Sequence, residues 1–237
     1  MQVSGLSHVG LTRKRNEDRY IIKESKGLFA VCDGMGGHKA GDVASHIAIQ
    51  ILEKTIDSND SNNPIEVLNL AIGLANREIR EKGEKNSDWY QMGTTITAAI
   101  LMNNELSIAN VGDSSIYLIR DMSIKKLTTD HTLAEQLVMD GIMSPVEMRD
   151  SSYNHILTRA LGVEEEVIID NFKEQVFPGD FILICSDGLT DMLEAEEILS
   201  IIAGSEIMDV DLLAQTLMNR ALDKGGYDNI TLILLHI

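Results

Sequence analysis

The sequence predicts an α+β fold, with antiparallel β-sheets and helices segregated outside them. Two observations carry this. Expected strands outnumber expected helices, and most neighbouring strands are joined by turns too short for anything but antiparallel pairing. A doubly wound parallel sheet would need a helix between nearly every strand pair. A third observation places the last segment inside a sheet: NITLILLHI (229–237) is apolar on both faces and reads as a central strand. The 237 residues are read as a single domain spanning 1–237, and 44% apolar content is enough for a sizeable core.

Taken in order, residues 3–11 and 19–33 read as strands with a polar turn between them. GDVASHIAIQILEKTI (41–56) is a helix by its Ala44, Ile47, Ala48 and Ile51 spacing. SNDSNN (58–63) is a loop. Pro64 then opens a second helix with Ile65, Leu68, Ile72, Ala75 and Ile79 on one face, and Gly83 is expected to end it. Residues 94–102, 105–111 and 115–120 read as short strands, the first two joined by an Asn103-Asn104 hairpin turn. Residues 131–141 read as a helix, and Ser144-Pro145-Val146-Glu147 has capping-box spacing for a shorter one. Residues 167–176 and 180–186 are strands around the turn Pro178-Gly179-Asp180. Residues 190–204 and 209–225 are helices, each with a glycine at its end.

Composition narrows the function. Twenty basic against 37 acidic residues give a net charge of −17, which repels nucleic acid and anionic membranes and attracts divalent cations. Two cysteines are too few for a secreted disulfide scaffold. No apolar run reaches the ~18 residues of a membrane span, and the first residues lack the apolar stretch of a signal peptide. The expectation is a cytoplasmic protein, monomeric by default.

The chemistry-bearing feature is a recurring one: an apolar run that ends in a carboxylate beside glycine. FAVCDGMGGH (29–38) ends in Asp33 followed by Gly34, Gly36 and Gly37, SIANVGDSS (107–115) in Gly112-Asp113, and FILICSDGLTD (181–191) in Asp187-Gly188. GGYDNITLILL (225–235) places Asp228 at the entrance of the last strand. One Asp-Gly pair is usually a turn, and Asp113 alone would be read so. Four carboxylates at strand ends of one domain are a cluster that repels itself unless a cation neutralises it. All-oxygen ligands favour Mg²⁺ or Mn²⁺ over zinc, and glycine lets the main chain approach the ion. In GLTRKRNED (10–18), Arg13 suits a phosphate oxygen, although alone the stretch reads as a surface turn. His38 and His155 are candidate proton donors to a leaving alkoxide, and each alone is an ordinary turn or cap residue. Cys32 and Cys185 lack the C-x₅-R loop of a cysteine phosphatase: the sixth residues on are His38 and Asp191. Both read as buried thiols.

RKRNED, CDGMGGH, MGTT (92–95), NVGDSS, CSDGLTD and GGYDNIT occur in the order found in the PPM family, and over residues 3–237 the chain resembles these metal-dependent type 2C Ser/Thr protein phosphatases, in a compact bacterial form. The resemblance implies a sandwich of two antiparallel sheets flanked by helices on both sides (α-β-β-α). It implies two Mn²⁺ or Mg²⁺ ions, with Asp33 bridging them, the Gly34 carbonyl on one, and Asp187 and Asp228 on the other. Asp113, with Asp187, matches the pair that takes a third ion in bacterial members. Glu17 and Asp18 act through waters, Asn229 stands with them behind the direct ligands, and Arg13 binds the substrate phosphate. Residues 140–165 match a mobile flap. The implied reaction is hydrolysis of phosphoserine and phosphothreonine in phosphoproteins by a bridging metal-bound hydroxide, opposing a Ser/Thr kinase of the eukaryotic-like class. One departure matters. Animal members carry a general-acid histidine two residues after the bridging aspartate, where this chain has Met35. The acid is then His38, His155 or a metal-bound water.

Two other functions fit parts of the pattern. A phosphoprotein-binding pseudophosphatase would lack some acidic ligands, and all the expected positions are acidic here. A structural cation-binding domain leaves Arg13 and the flap unexplained.

Overall fold

The structure, a computed structural model, describes residues 1–36, 40–59, 61–149, 151–204 and 209–237. Two five-stranded antiparallel sheets lie face to face. One has the order β1 (Gln2–His8), β12 (Ile230–His236), β11 (Phe181–Cys185), β8 (Ser115–Arg120), β9 (Ser123–Lys126). The other runs β10 (Asp170–Gln175), β7 (Glu105–Val111), β6 (Ile96–Met102), β3 (Leu28–Cys32), β2 (Arg19–Lys23). A two-stranded ribbon, β4 (Gly34–Met35) with β5 (Gly93–Thr94), stands at one end. The α+β sandwich expected from the sequence is therefore the fold.

Strand alternation builds three apolar layers. Phe29 and Val31 of β3 face Ile182 and Ile184 of β11 and Ile233 and Leu235 of β12 between the sheets. The alternate residues Leu28, Ala30 and Cys32 turn outward onto α1 (Ala40–Ser58) and α2 (Pro64–Lys85). On the other flank Leu183, Cys185, Leu232 and Leu234 meet α6 (Ala195–Ala203) and α7 (Val210–Asp223). Strands covered on both faces need no polar alternation, which is why β3, β11 and β12 read as continuous apolar runs. Both cysteines are free and fully buried, as expected.

Several boundaries differ from the sequence expectation for identifiable reasons. The first strand ends at His8, and residues 9–18 form a polar loop, with Gly10 at φ +78°. The expected strand 19–33 is a hairpin of β2 and β3 around a 3₁₀ turn, Glu24–Lys26, closed by Gly27 at φ +61°. Gly83 does not end α2, because it lies buried where Trp89 O passes 3.0 Å from a would-be Cβ. The expected helix 190–204 starts only at Ala195, as α6, after a separate single turn, α5 (Asp187–Thr190). The hairpin of β8 and β9 escaped notice because its turn, Asp121-Met122, has positive φ at both positions without an Asn-Gly signature. Asn103-Asn104 does form the expected turn, at φ +53° and +62°. Between β9 and β10 lie α3 (Leu133–Met139), α4 (Pro145–Arg149) and a 3₁₀ turn, Ser152–His155. Ser144 and Glu147 form the reciprocal capping box, with Glu147 N donating to Ser144 Oγ and Ser144 N to Glu147 Oε2.

One partly buried ion pair, between half-buried Arg120 and buried Asp180, ties the far ends of three strands. Asp180 accepts Arg120 Nε at 2.8 Å, Nη2 at 2.6 Å and Phe177 N at 2.8 Å. Burial alone would push the Asp180 carboxyl up, but the Arg120 fork and the Phe177 N–H hold it below its usual value. Asp180→Ala, which leaves Arg120 only its bond to Gln175 O and its contact with the Phe177 ring, is expected to cost roughly 1–3 kcal/mol in urea unfolding at neutral pH. A lowered folded pKa stabilises above the unfolded value, so the gap between wild type and variant should close as pH falls below about 4.

Candidate active site

All four strand-end aspartates meet at one end of the sandwich. Asp33 follows β3, Asp113 follows β7, Asp187 follows β11 and Asp228 precedes β12. They line a single open cleft of about 1810 Å³ together with Arg13, Glu17, Gly34 and Asn229. Asp18, 2% exposed, lies beneath it. His38 lies outside the described residues.

The site is held in place by contacts that the fold brings together from distant parts of the chain. The Asp33 main chain is clamped on both sides: its N–H donates to Thr95 Oγ1 at 2.9 Å, and its carbonyl accepts Thr94 Oγ1 at 2.8 Å and Thr95 N at 2.8 Å. Both threonines belong to MGTT. A Cβ on Gly34 would lie 2.2 Å from the Gly41 carbonyl oxygen and 2.6 Å from that of Glu17. Since these are main-chain atoms, Gly34→Ala is expected to destabilise by about 3 kcal/mol or more in thermal or urea unfolding. Gly73→Ala in α2, where nothing lies within 4 Å, is the control and should stabilise by about 0.5–1 kcal/mol.

Asn229 is the joint between the polar loop and the last strand. Its Oδ1 accepts Glu17 N at 2.8 Å, and its Nδ2 donates to Val9 O at 2.9 Å and Arg15 O at 2.8 Å. The loop so fixed delivers Arg13, whose Nη2 donates to Asp228 Oδ2 at 2.6 Å. Asp228 Oδ1 accepts Asn229 N at 2.7 Å.

Electrostatics mark the cluster as unbalanced. Burial, then the charges of Asp18 and Asp187, push the Asp33 carboxyl well above its ordinary range. Burial, then Asp187 and Asp130, do the same to Asp113. Asp187 is raised by burial and Asp228, against the pull of a hydrogen bond with Asp33. Asp18 is pushed to about 7, chiefly by burial, even though Ser186 Oγ donates to its Oδ2 at 2.8 Å. Two carboxylate oxygens, Asp18 Oδ1 and Asp187 Oδ1, are buried without any hydrogen-bond partner among the described residues. Natural folds rarely leave such oxygens unmatched, so a cation is the counterpart this chemistry lacks.

Two acidic residues that sequence reasoning did not single out join the site. Asp191 lies one helical turn after Asp187, and these two with His155 can bring ligand atoms within 4.8 Å of one another. The signal was available as an i, i+4 spacing within CSDGLTD. Burial, then Asp187, push Asp191 to about 6. Asp130 arrives from beyond β9 with no motif to announce it, paired with Lys126. His155 Nδ1 is 3.8 Å from Asp191 Oδ2, so the second candidate proton donor does reach the cleft. Met35 lines it as well.

Comparison with known proteins gives a consistent picture. The family model for protein phosphatase 2C matches residues 6–137, and that for stage II sporulation protein E matches residues 146–237. The Ser/Thr phosphatase stp of Listeria monocytogenes is 37% identical over 233 residues, covering 95% of this chain and 92% of that protein. Among solved structures, the Ser/Thr phosphatase PstP/Ppp of Mycobacterium tuberculosis superposes with a TM-score of 0.92 at 34% identity, covering 100% of this chain and 98% of the other. The catalytic domain of PstP in complex with two manganese ions superposes with a TM-score of 0.88 at 34% identity, covering 98% and 96%.

Proposed function

Since the chain belongs to the protein phosphatase 2C family and is a Ser/Thr protein phosphatase, we propose that this cleft hydrolyses phosphoserine and phosphothreonine directly, without a phosphoenzyme. The observation that carries the proposal is the convergence of Asp33, Asp113, Asp187 and Asp228 with Arg13, around carboxylate oxygens that have no partner among the described residues. Asp33, the Gly34 carbonyl, Asp187 and Asp228 would hold two Mn²⁺ or Mg²⁺ ions, and Asp113 with Asp187 a third. When bound, the ions supply neutralising charge and a water acidified enough to attack phosphorus.

The protein's own groups do the rest. Arg13 spends one N–H on Asp228 and keeps others for phosphoryl oxygens, so it binds and orients the substrate while countering charge that develops in the transition state. Asn229 fixes the loop that presents it. Glu17 and Asp18 stand behind the ligands, Asp18 anchored by Ser186. Residues 140–165 are read as the flap of a single catalytic domain, and His155 lines the cleft, where its imidazole can hand a proton to the departing alkoxide. Both cysteines are buried, and burial pushes each thiol up, which fits no role as nucleophile. The reaction that supplies the substrate is ATP-dependent phosphorylation of Ser/Thr, so a Ser/Thr kinase is the opposing activity. Among the described residues, no helix is long and apolar enough to cross a membrane.

The test is a panel of phosphoserine, phosphothreonine and phosphotyrosine peptides assayed with Mn²⁺, Mg²⁺ and chelator. Hydrolysis of the first two, abolished by EDTA and restored by Mn²⁺, is the expected result. Turnover that survives exhaustive chelation would refute the metal assignment, and binding without turnover would favour a pseudophosphatase.

A further inference from the structure

The cleft carries a charge asymmetry that phosphoryl chemistry does not require. At one rim the loop between β1 and β2 presents Arg13, Lys14 and Arg15, all exposed and the only run of three basic residues in a chain of net charge −17. Arg13 is engaged with Asp228. Lys14 has no hydrogen bond or ion pair among the described residues. The Arg15 main chain is held by Asn229, so its side chain projects from a fixed base. Among the described residues the rest of the cleft bears Glu135, Asp191 and Glu196, and Lys126 there is paired with Asp130. The two ends are electrostatically distinct. The carboxylates that act most on Arg13 are Asp228, Asp33 and Asp187, whereas those acting most on Asp113 are Asp187, Asp130 and Asp191.

Resting on the phosphatase assignment above, we propose that Lys14 and Arg15 determine substrate choice: they select phosphopeptides with acidic side chains on the one flank of the phosphoresidue that crosses this rim, while the acidic end of the cleft disfavours acidic side chains on the other flank. An extended peptide advances roughly 3.3 Å per residue, so positions two to four from the phosphoresidue span about 7–13 Å, comparable to the screening length of about 8–10 Å. Contacts between exposed charges are weak singly, a factor of a few each, so several must add on one flank to be read. The preference is therefore one-sided and salt-sensitive.

The experiment measures kcat/KM with Mn²⁺ for phosphothreonine peptides carrying three Glu or three Lys on either flank, normalised to the same enzyme's turnover of p-nitrophenyl phosphate. Exchanging Lys for Glu should raise kcat/KM roughly 5–20-fold on one flank and lower it on the other. The Lys14→Glu/Arg15→Glu double variant should abolish or invert the gain on the first flank while keeping the effect on the second. Lys14→Gln and Arg15→Gln should each remove part of it, and 0.5 M NaCl should shrink it. Equal effects on both flanks, or a first-flank preference that persists in the double variant, would overturn the proposal. A wild-type protein that hydrolyses p-nitrophenyl phosphate but shows no flank preference refutes the rim proposal alone. One that hydrolyses neither substrate refutes the underlying assignment and the proposal with it.

Discussion

Asp187→Asn is expected to lower phosphatase turnover by roughly three orders of magnitude or more, while making the metal-free protein more stable than wild type. The two effects have one cause. Asp187 has a buried oxygen without a partner among the described residues, and burial, then Asp228, raise its pKa. Without ions, its charge costs desolvation and repulsion, and an isosteric amide removes both. A gain of about 1–3 kcal/mol follows, or several degrees in Tm for a chain of this length. With saturating Mn²⁺ the order should reverse, because wild type gains binding energy that the variant cannot, about 2.7 kcal/mol per site at a hundredfold excess over Kd. Thermal melts of both proteins, with EDTA and with Mn²⁺, should therefore cross. Near-normal turnover in the variant at limiting metal would remove Asp187 from the site.

Stripping the metal should also expose an unusual dependence of stability on pH. Asp18, pushed to about 7, and Asp191, pushed to about 6, are protonated in the metal-free fold at pH values where the unfolded chain is ionised. The folded state then binds more protons, so its stability falls as pH rises between roughly 4 and 7. For Asp18, 2% exposed, the full excursion is on the order of 4 kcal/mol. The Arg120–Asp180 pair acts in the opposite sense, but its window lies below about 4 and does not overlap. The Tm of EDTA-treated protein should drop by several degrees from pH 5.5 to 7.5, and saturating Mn²⁺ should flatten or reverse the slope. A metal-free Tm that rises through this interval would mean that the carboxylates are already satisfied by the protein.

What could be read in the sequence was whatever is coded within a few residues. Apolar runs ending in Asp-Gly announced Asp33 and Asp187 at strand ends, a Gly-Asp pair announced Asp113, and Asp228 followed from its place before an apolar strand. Antiparallel sheets followed from strands too closely spaced for crossovers, and their stacking as a sandwich from the family resemblance. Partner choice across the chain was not legible. That Asn229 would grip Val9, Arg15 and Glu17, more than two hundred residues away, depends on β1 pairing with β12. That Asp18 would be the buried carboxylate, while Glu17 beside it lines the cleft, depends on which side of the loop meets Ser186. Gly83 misled as a helix terminator because a glycine required for close approach looks the same in sequence as one required for a turn.

Anomalous diffraction at the manganese edge, from crystals of this protein soaked in Mn²⁺, addresses the acidic cleft itself. Two strong peaks are expected within about 2.0–2.4 Å of carboxylate oxygens of Asp33, Asp187 and Asp228 and the Gly34 carbonyl. Peaks confined to other surfaces, with those oxygens bonded only to water or to one another, would contradict it.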